Sequence, residues 1–130
     1  MMPDKVTFEY AIIRFVPRVE REEFFNVGVI LFSKRKKFLA VKFHVDHHKL
    51  KAFPDALDLE TVNAYLQAWD SIAKGDSTSG KIGEFEMSDR FRWLAASRST
   101  VIQSSKTHSG LTDNPEETLQ CIFEQQVLHP

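Results

Sequence analysis

The amino-terminal part of the chain carries apolar residues in a spacing that predicts three consecutive β-strands. Residues 6–16 are rich in β-branched and aromatic side chains. These alternate with polar residues at first, and the later part of the segment is apolar on both faces of the predicted strand. This pattern predicts a central strand that ends at Pro17, because proline cannot donate to a strand ladder. Residues 24–32 and 38–45 predict two more strands, joined by a basic turn at residues 33–37. The three strands together predict an antiparallel meander.

The rest of the chain predicts three helices and one late strand. The first helix begins after the N-cap Asp58 and ends at Gly75, with apolar residues at three- and four-residue steps: Leu59, Val62, Leu66, Trp69 and Ala73. A shorter helix over residues 89–96 follows, and residues 100–105 predict a fourth strand. The last helix begins after Asn114, with proline at its first position and glutamate at its third.

These elements predict an α+β fold in a single domain over residues 1–130. Its antiparallel sheet has about four strands, a meander of three plus one late strand, with two longer helices and one short helix packed on it. We expect the helices to cover one face of the sheet. A chain of 130 residues that is 42% hydrophobic can bury one core of this kind.

Composition narrows the expected compartment and the expected partners. The longest apolar run, residues 27–32, is far below the ~20 residues that cross a bilayer, and the start lacks a signal-peptide core. We therefore expect a cytoplasmic protein without a membrane segment. The single cysteine, Cys121, is expected to pack as a small hydrophobic residue. Residues 1–53 carry eleven Lys or Arg against six acids and residues 54–130 carry six against twelve, so the charge is divided.

The segment of residues 98–110 is the first candidate site, because it places only two apolar residues among eleven polar or glycine positions. Arg98, Ser99 and Thr100 could bind an anion, with Gln103 and His108 nearby. Alternatively, the Ser and Thr hydroxyl groups satisfy loop backbone. Catalysis by Ser99 or Ser105 with His108 as base has the residue types but no motif.

The second candidate site lies at residues 14 to 28. Arg14 shares a strand face with apolar residues, so its guanidinium needs a partner, and Glu23 is the expected one. The alternative is that Arg14 meets a carboxylate or phosphate of a ligand or protein partner. Asn26 and Gly28 are expected to lie on one strand face, two residues apart, and Gly28 predicts either a structural bulge or a floor on which a ligand or main chain lies.

The other motifs are incomplete as metal or phosphate sites, and we expect no metal and no cofactor. His44, Asp46, His47 and His48 have the residue types of metal ligands, but they lie at a strand end and no further Cys or His motif completes the set. Residues 75–81 resemble a phosphate-binding loop, but they are followed by Ile82 where Ser or Thr would hold magnesium.

Several segments together resemble the bacterial family called domain of unknown function 3037. The matching segments are residues 10–17, 23–31, 90–94, 98–103 and 108–111. The resemblance implies a small bacterial cytosolic protein, with members sometimes encoded near kinases that resemble the HipA toxin. It brings no activity and no catalytic residue. It does imply that the polar residues in these segments, including Arg92, belong to the signature of the family.

The expected function is a non-catalytic accessory module that binds a protein partner, for which a HipA-like kinase encoded nearby is a candidate. The alternative is an enzyme acting on a small molecule or phosphoester, with an anion pocket formed by Arg14, Glu23, Arg98 and His108. A second alternative is nucleic-acid binding. We do not expect it, since the cations of residues 34–37 have no aromatic platform or basic groove around them. A homodimer stays open.

Overall fold

The central strand of the sheet is β1 (Val6–Arg18) in the computed structural model, which describes residues 5–18, 20, 23–53, 58–96 and 101–129. On one side it pairs with β2 (Glu23–Ser33), which in turn pairs with β3 (Phe38–Phe43). On the other side it pairs with β4 (Ile102–Ser104) and then with β5 (His108–Thr112). All pairs are antiparallel and the order is β3-β2-β1-β4, so the predicted meander with a late strand is confirmed.

The structure has two late strands, β4 and β5, where the sequence predicts one. β4 occupies the middle of the predicted fourth strand, and after a break at residues 105–107 the chain returns to β1 as β5. Sequence analysis missed β5, because its polar and glycine residues have little intrinsic preference for a strand. β1 itself continues one residue beyond Pro17, and its register with β2 shifts between Phe15 and Arg18.

The described residues form four α-helices, and three of them begin after a residue whose side chain caps the helix. They are α1 (His47–Lys51), α2 (Leu59–Lys74), α3 (Met87–Ala95) and α4 (Pro115–Phe123), which continues as a π-helical turn over Glu124–Leu128. The Asp58 carboxylate accepts the Thr61 N–H at 2.8 Å, and Gly75 ends α2 with a left-handed φ of 65°.

The helices lie on both faces of the sheet, so the expectation that they cover one face is wrong. We call the side covered by α2 and α3 the α2 face. Its core comprises Ala11, Ile13, Phe15, Val27, Ile30, Leu66, Phe91 and Leu94, among others. The α4 face is covered by α4 and its π-helical turn, and its core comprises Phe8, Ile12, Val29, Leu31, Leu119, Phe123 and Val127. Strands buried on both sides explain the continuous apolar runs in β1 and β2.

A β-bulge in β2 changes which residues face each side. Residues 9–13 of β1 pair with residues 32–28 in an even register, but Arg14 then pairs with Asn26 and not with Val27. Val27 is therefore the extra residue of the bulge, and it is fully buried in the core of the α2 face. The expectation that Asn26 and Gly28 share one strand face is wrong, because Gly28 lies opposite Ile13 and Asn26 lies opposite Arg14.

Candidate functional site

Arg14 is the middle of a row of polar residues that crosses three adjacent strands. Asn26 of β2 lies directly opposite Arg14 on one side, and Gln103 of β4 lies directly opposite it on the other. Side chains of directly opposed residues share one face of a sheet. Arg14 continues the alternation of Phe8 and Ile12, so the row lies on the α4 face. The fold thus brings together polar residues from both candidate segments.

The β2 bulge produces this row. If the register of residues 9–13 continued, Arg14 would face the apolar Val27. The extra residue instead moves Asn26 opposite Arg14. Gly28, the other residue of the bulge, has its own structural reason: a Cβ added there would lie 2.6 Å from the Lys42 carbonyl oxygen of β3. The close approach predicted at Gly28 is therefore made by the neighbouring strand.

The guanidinium of Arg14 is held by an aromatic ring. Its Cζ atom lies 4.2 Å from the centroid of the Phe24 ring, a distance typical of a cation–π contact. The Arg14 Nε atom is buried and has no hydrogen-bond partner among the described residues. A buried donor in that state costs about 1–3 kcal/mol. Phe24 is 47% exposed, so the stacked pair reaches solvent.

Asn26 also joins the row to the end of α4. Its Nδ2 donates to the Gln126 carbonyl oxygen at 3.0 Å, in the π-helical turn. Val127, the next residue, is buried in the core of the α4 face. We use the name Arg14 surface for Arg14, Phe24, Asn26 and Gln103. Sequence analysis missed Phe24, although its two-residue step from Asn26 places it on the same polar face.

Glu23 does not pair with Arg14 as expected. The register places Glu23 opposite Arg18, which lies four residues further along β1. At about 3.3 Å per residue, that separation along the strand is about 13 Å. The strand register therefore contradicts the expected ion pair between Arg14 and Glu23.

His108 and Arg92 also lie away from Arg14. His108 is exposed opposite Tyr10, with the two ring centroids 5.2 Å apart, and Tyr10 is four residues from Arg14 on β1. Arg92 is exposed on α3, on the α2 face, where it lines a cavity of about 320 Å³ with Lys106 and Thr107. Arg98, Ser99 and Thr100 lie outside the described residues. Within the described part of the chain, the expected anion pocket is not assembled.

Ser105 has a structural role that sequence analysis did not find. Its Oγ atom accepts the Ile12 N–H at 2.8 Å, and its own N–H donates to the Ile12 carbonyl at 2.8 Å. The hydroxyl also donates to the Lys106 carbonyl at 2.9 Å, and Ser105 is only 7% exposed. At the break between β4 and β5, the Ser105 hydroxyl oxygen thus accepts the ladder hydrogen bond that a backbone carbonyl would otherwise accept. These bonds argue against the nucleophile interpretation of Ser105.

The remaining chemically interesting groups are caps or surface residues. The Asp46 carboxylate caps α1 by accepting the His48 N–H at 2.9 Å. No group of three or more His, Cys, Asp or Glu among the described residues could hold a metal ion. Cys121 is exposed on α4, which corrects the expectation that it packs in the core. No helix in the described ranges has the length and apolar character to cross a membrane.

Comparison with known proteins gives one match, which covers nearly the whole chain. A family model described as "Protein of unknown function (DUF3037)" matches residues 10–127. The chain belongs to the DUF3037 family. The match extends from β1 to the π-helical turn, so it includes every residue of the Arg14 surface in this DUF3037 protein. No curated protein matches the chain, and no solved structure does.

Proposed function

We propose that this DUF3037 protein is a non-catalytic module that binds a protein partner through the Arg14 surface. The observation that carries the proposal is the stacked pair of Arg14 and the half-exposed Phe24, beside the amides of Asn26 and Gln103. Arginine and aromatic residues are enriched in the parts of interfaces that supply most of the binding energy.

The distribution of the other candidates favours binding over catalysis. His108 of β5 lies opposite Tyr10, which is four residues from Arg14 along β1, and Glu23 lies opposite Arg18. A reaction centre needs its acid, base and nucleophile within hydrogen-bond reach of one substrate. A partner surface has no such requirement, because its residues contribute through area and local complementarity.

The partner that we favour is a HipA-like kinase encoded near the gene, which is the neighbour that the family resemblance implies. A basic group such as Arg14 fits a carboxylate or phosphate on that partner, because guanidinium binds both groups through paired hydrogen bonds. Phe24 would then contribute apolar contact beside the charged pair.

Phe24 gives the direct test. Phe24→Ala should weaken binding of the purified kinase by about tenfold or more, since truncating a side chain that dominates an interface costs about 2 kcal/mol or more, and about 1.4 kcal/mol corresponds to tenfold. Trp93→Ala is the matched control, because Trp93 is also 47% exposed but lies on α3, on the α2 face. Isothermal titration calorimetry with both variants checks the prediction. Absence of binding by the wild type, or equal binding by the two variants, contradicts the proposal.

A further inference from the structure

The outer edge of β5 is the least protected strand edge among the described residues. Within the described ranges, β5 pairs with β1 alone and forms the boundary of the sheet. His108, Ser109 and Leu111 are exposed, and Leu111 is 65% exposed, the largest value among the big apolar side chains of the described chain. Edge strands are ready templates for pairing with another strand, and proteins usually protect them.

The opposite edge of the sheet shows such protection. β3 is short, follows the exposed basic turn of residues 34–37, and carries Lys42, whose ammonium donates to the Gln120 side chain of α4. β5 contains no Lys, Arg, Asp, Glu or Pro. The β5 edge thus lacks the protection that the β3 edge has.

Alternate residues of β5 direct their backbone N–H and carbonyl groups away from β1. Ile12 directs both its N–H and its carbonyl toward Ser105, so the alternate residues Tyr10 and Phe8 also direct their backbone groups toward β5. Their partners, His108 and Gly110, therefore bond inward to β1. By the same alternation, Ser109 and Leu111 direct their N–H and carbonyl groups outward.

We propose that the β5 edge binds the β5 edge of a second copy of this chain, in antiparallel pairing centred on Gly110. In that register Ser109 of one copy lies opposite Leu111 of the other, and both residues have outward backbone groups. The pairing is therefore self-complementary, as a twofold interface requires. Gly110 places no side chain at the centre, and the two Leu111 side chains lie diagonally on one face of the continuous sheet.

Charges at the two ends of β5 fit the same pairing. Lys106 precedes the strand and Asp113 follows it, and both are exposed. They are separated by seven residues, or about 23 Å of extended chain, so they are too far apart to pair within one copy. Antiparallel pairing brings Lys106 of each copy to the same end as Asp113 of the other. The proposal uses no residue of the Arg14 surface and is independent of the proposed function.

Sedimentation velocity on the full chain tests the backbone pairing. The wild type should dimerise with rising concentration, and Leu111→Pro should stay monomeric, because proline removes an outward donor without removing a bond to β1. Leu111→Thr is the control: it loses the apolar side chain but keeps the N–H, so it should still dimerise, with a weaker dissociation constant. Circular dichroism and the Tm of each variant establish that it is folded.

A charge reversal separates this interface from any other dimer. Lys106→Glu should raise the dimer dissociation constant by about threefold to tenfold, because two like-charged contacts replace two opposite-charged ones. Adding Asp113→Lys to the same chain should restore the wild-type value. A wild type that is monomeric at all concentrations overturns the proposal. So does a dimer that is insensitive to Leu111→Pro or is not restored by the double reversal.

Discussion

At the scale of single residues, Arg14 shows where sequence reasoning stops. Its position on a strand face with Ile12 follows from the two-residue period, and its need for a partner follows from its charge. Its neighbours could not be predicted, because one extra residue in β2 replaces Val27 by Asn26 opposite Arg14. A bulge is a backbone event with a weak sequence signal, for which Gly28 was the only indication.

The buried Nε atom of Arg14, which has no partner in the part of the chain that the structure describes, leads to a stability prediction. Arg14→Met should change the free energy of unfolding by less than about 1 kcal/mol, because methionine keeps the packing and removes a buried donor without an acceptor. The same variant should lose binding to the partner. Urea unfolding measures the first effect. A loss of about 3–5 kcal/mol would indicate that Arg14 belongs to a buried ion pair, as sequence analysis expected.

At the scale of elements, helix ends were the most predictable feature and the late edge strand the least. Asp58, Gly75 and Asn114 act through local hydrogen bonds or local φ angles, so the sequence around each one is sufficient. α3 begins two residues earlier than predicted, after Glu86, which makes no side-chain capping bond. β5 depends on its register with β1 and on the Ser105 hydroxyl, neither of which has a local signature.

The Asp58 cap predicts a pH dependence. The Thr61 backbone N–H lowers the pKa of Asp58 below its ordinary value, so its stabilising effect is complete above about pH 3.9 and is lost as the pH falls through the lowered pKa. Asp58→Ala should therefore have a lower Tm than the wild type at neutral pH, and the difference should shrink in acid. Asp58→Asn, a cap that does not titrate, should keep its advantage over alanine in acid. A constant Tm difference between wild type and Asp58→Ala at every pH would contradict this assignment.

At the scale of the whole molecule, the fold class followed from the order of the elements, whereas their arrangement around the sheet did not. Val29, Ile30 and Leu31 form one apolar run. Such a run is consistent with a strand that is covered on both faces, but it does not indicate which helix covers which face. Only the structure assigns Val29 and Leu31 to α4 and Ile30 to α2. The site joins distant parts of the chain because β1 pairs with β2 on one side and with β4 on the other.

The two cores share one sheet, so they should unfold together. Leu66→Ala on the α2 face and Leu119→Ala on the α4 face should each lower the free energy of unfolding by about 2–5 kcal/mol, because both side chains are fully buried. Leu128→Ala, at 39% exposure, should have a smaller effect. Urea unfolding followed by tryptophan fluorescence and by circular dichroism should give coincident transitions in every variant. Separate transitions for the two probes would show that the faces unfold independently.

The position of α4 after every strand in chain order has a consequence for biosynthesis. The ribosome adds about 5–20 residues per second, so β1 and β2 emerge several seconds before the helix that covers them. During that interval Phe8, Ile12, Val29 and Leu31 have no α4 to pack against. A nascent chain of this protein therefore exposes an apolar surface that a holding chaperone can bind. That surface is covered once Asn114 and the residues of α4 have been synthesised.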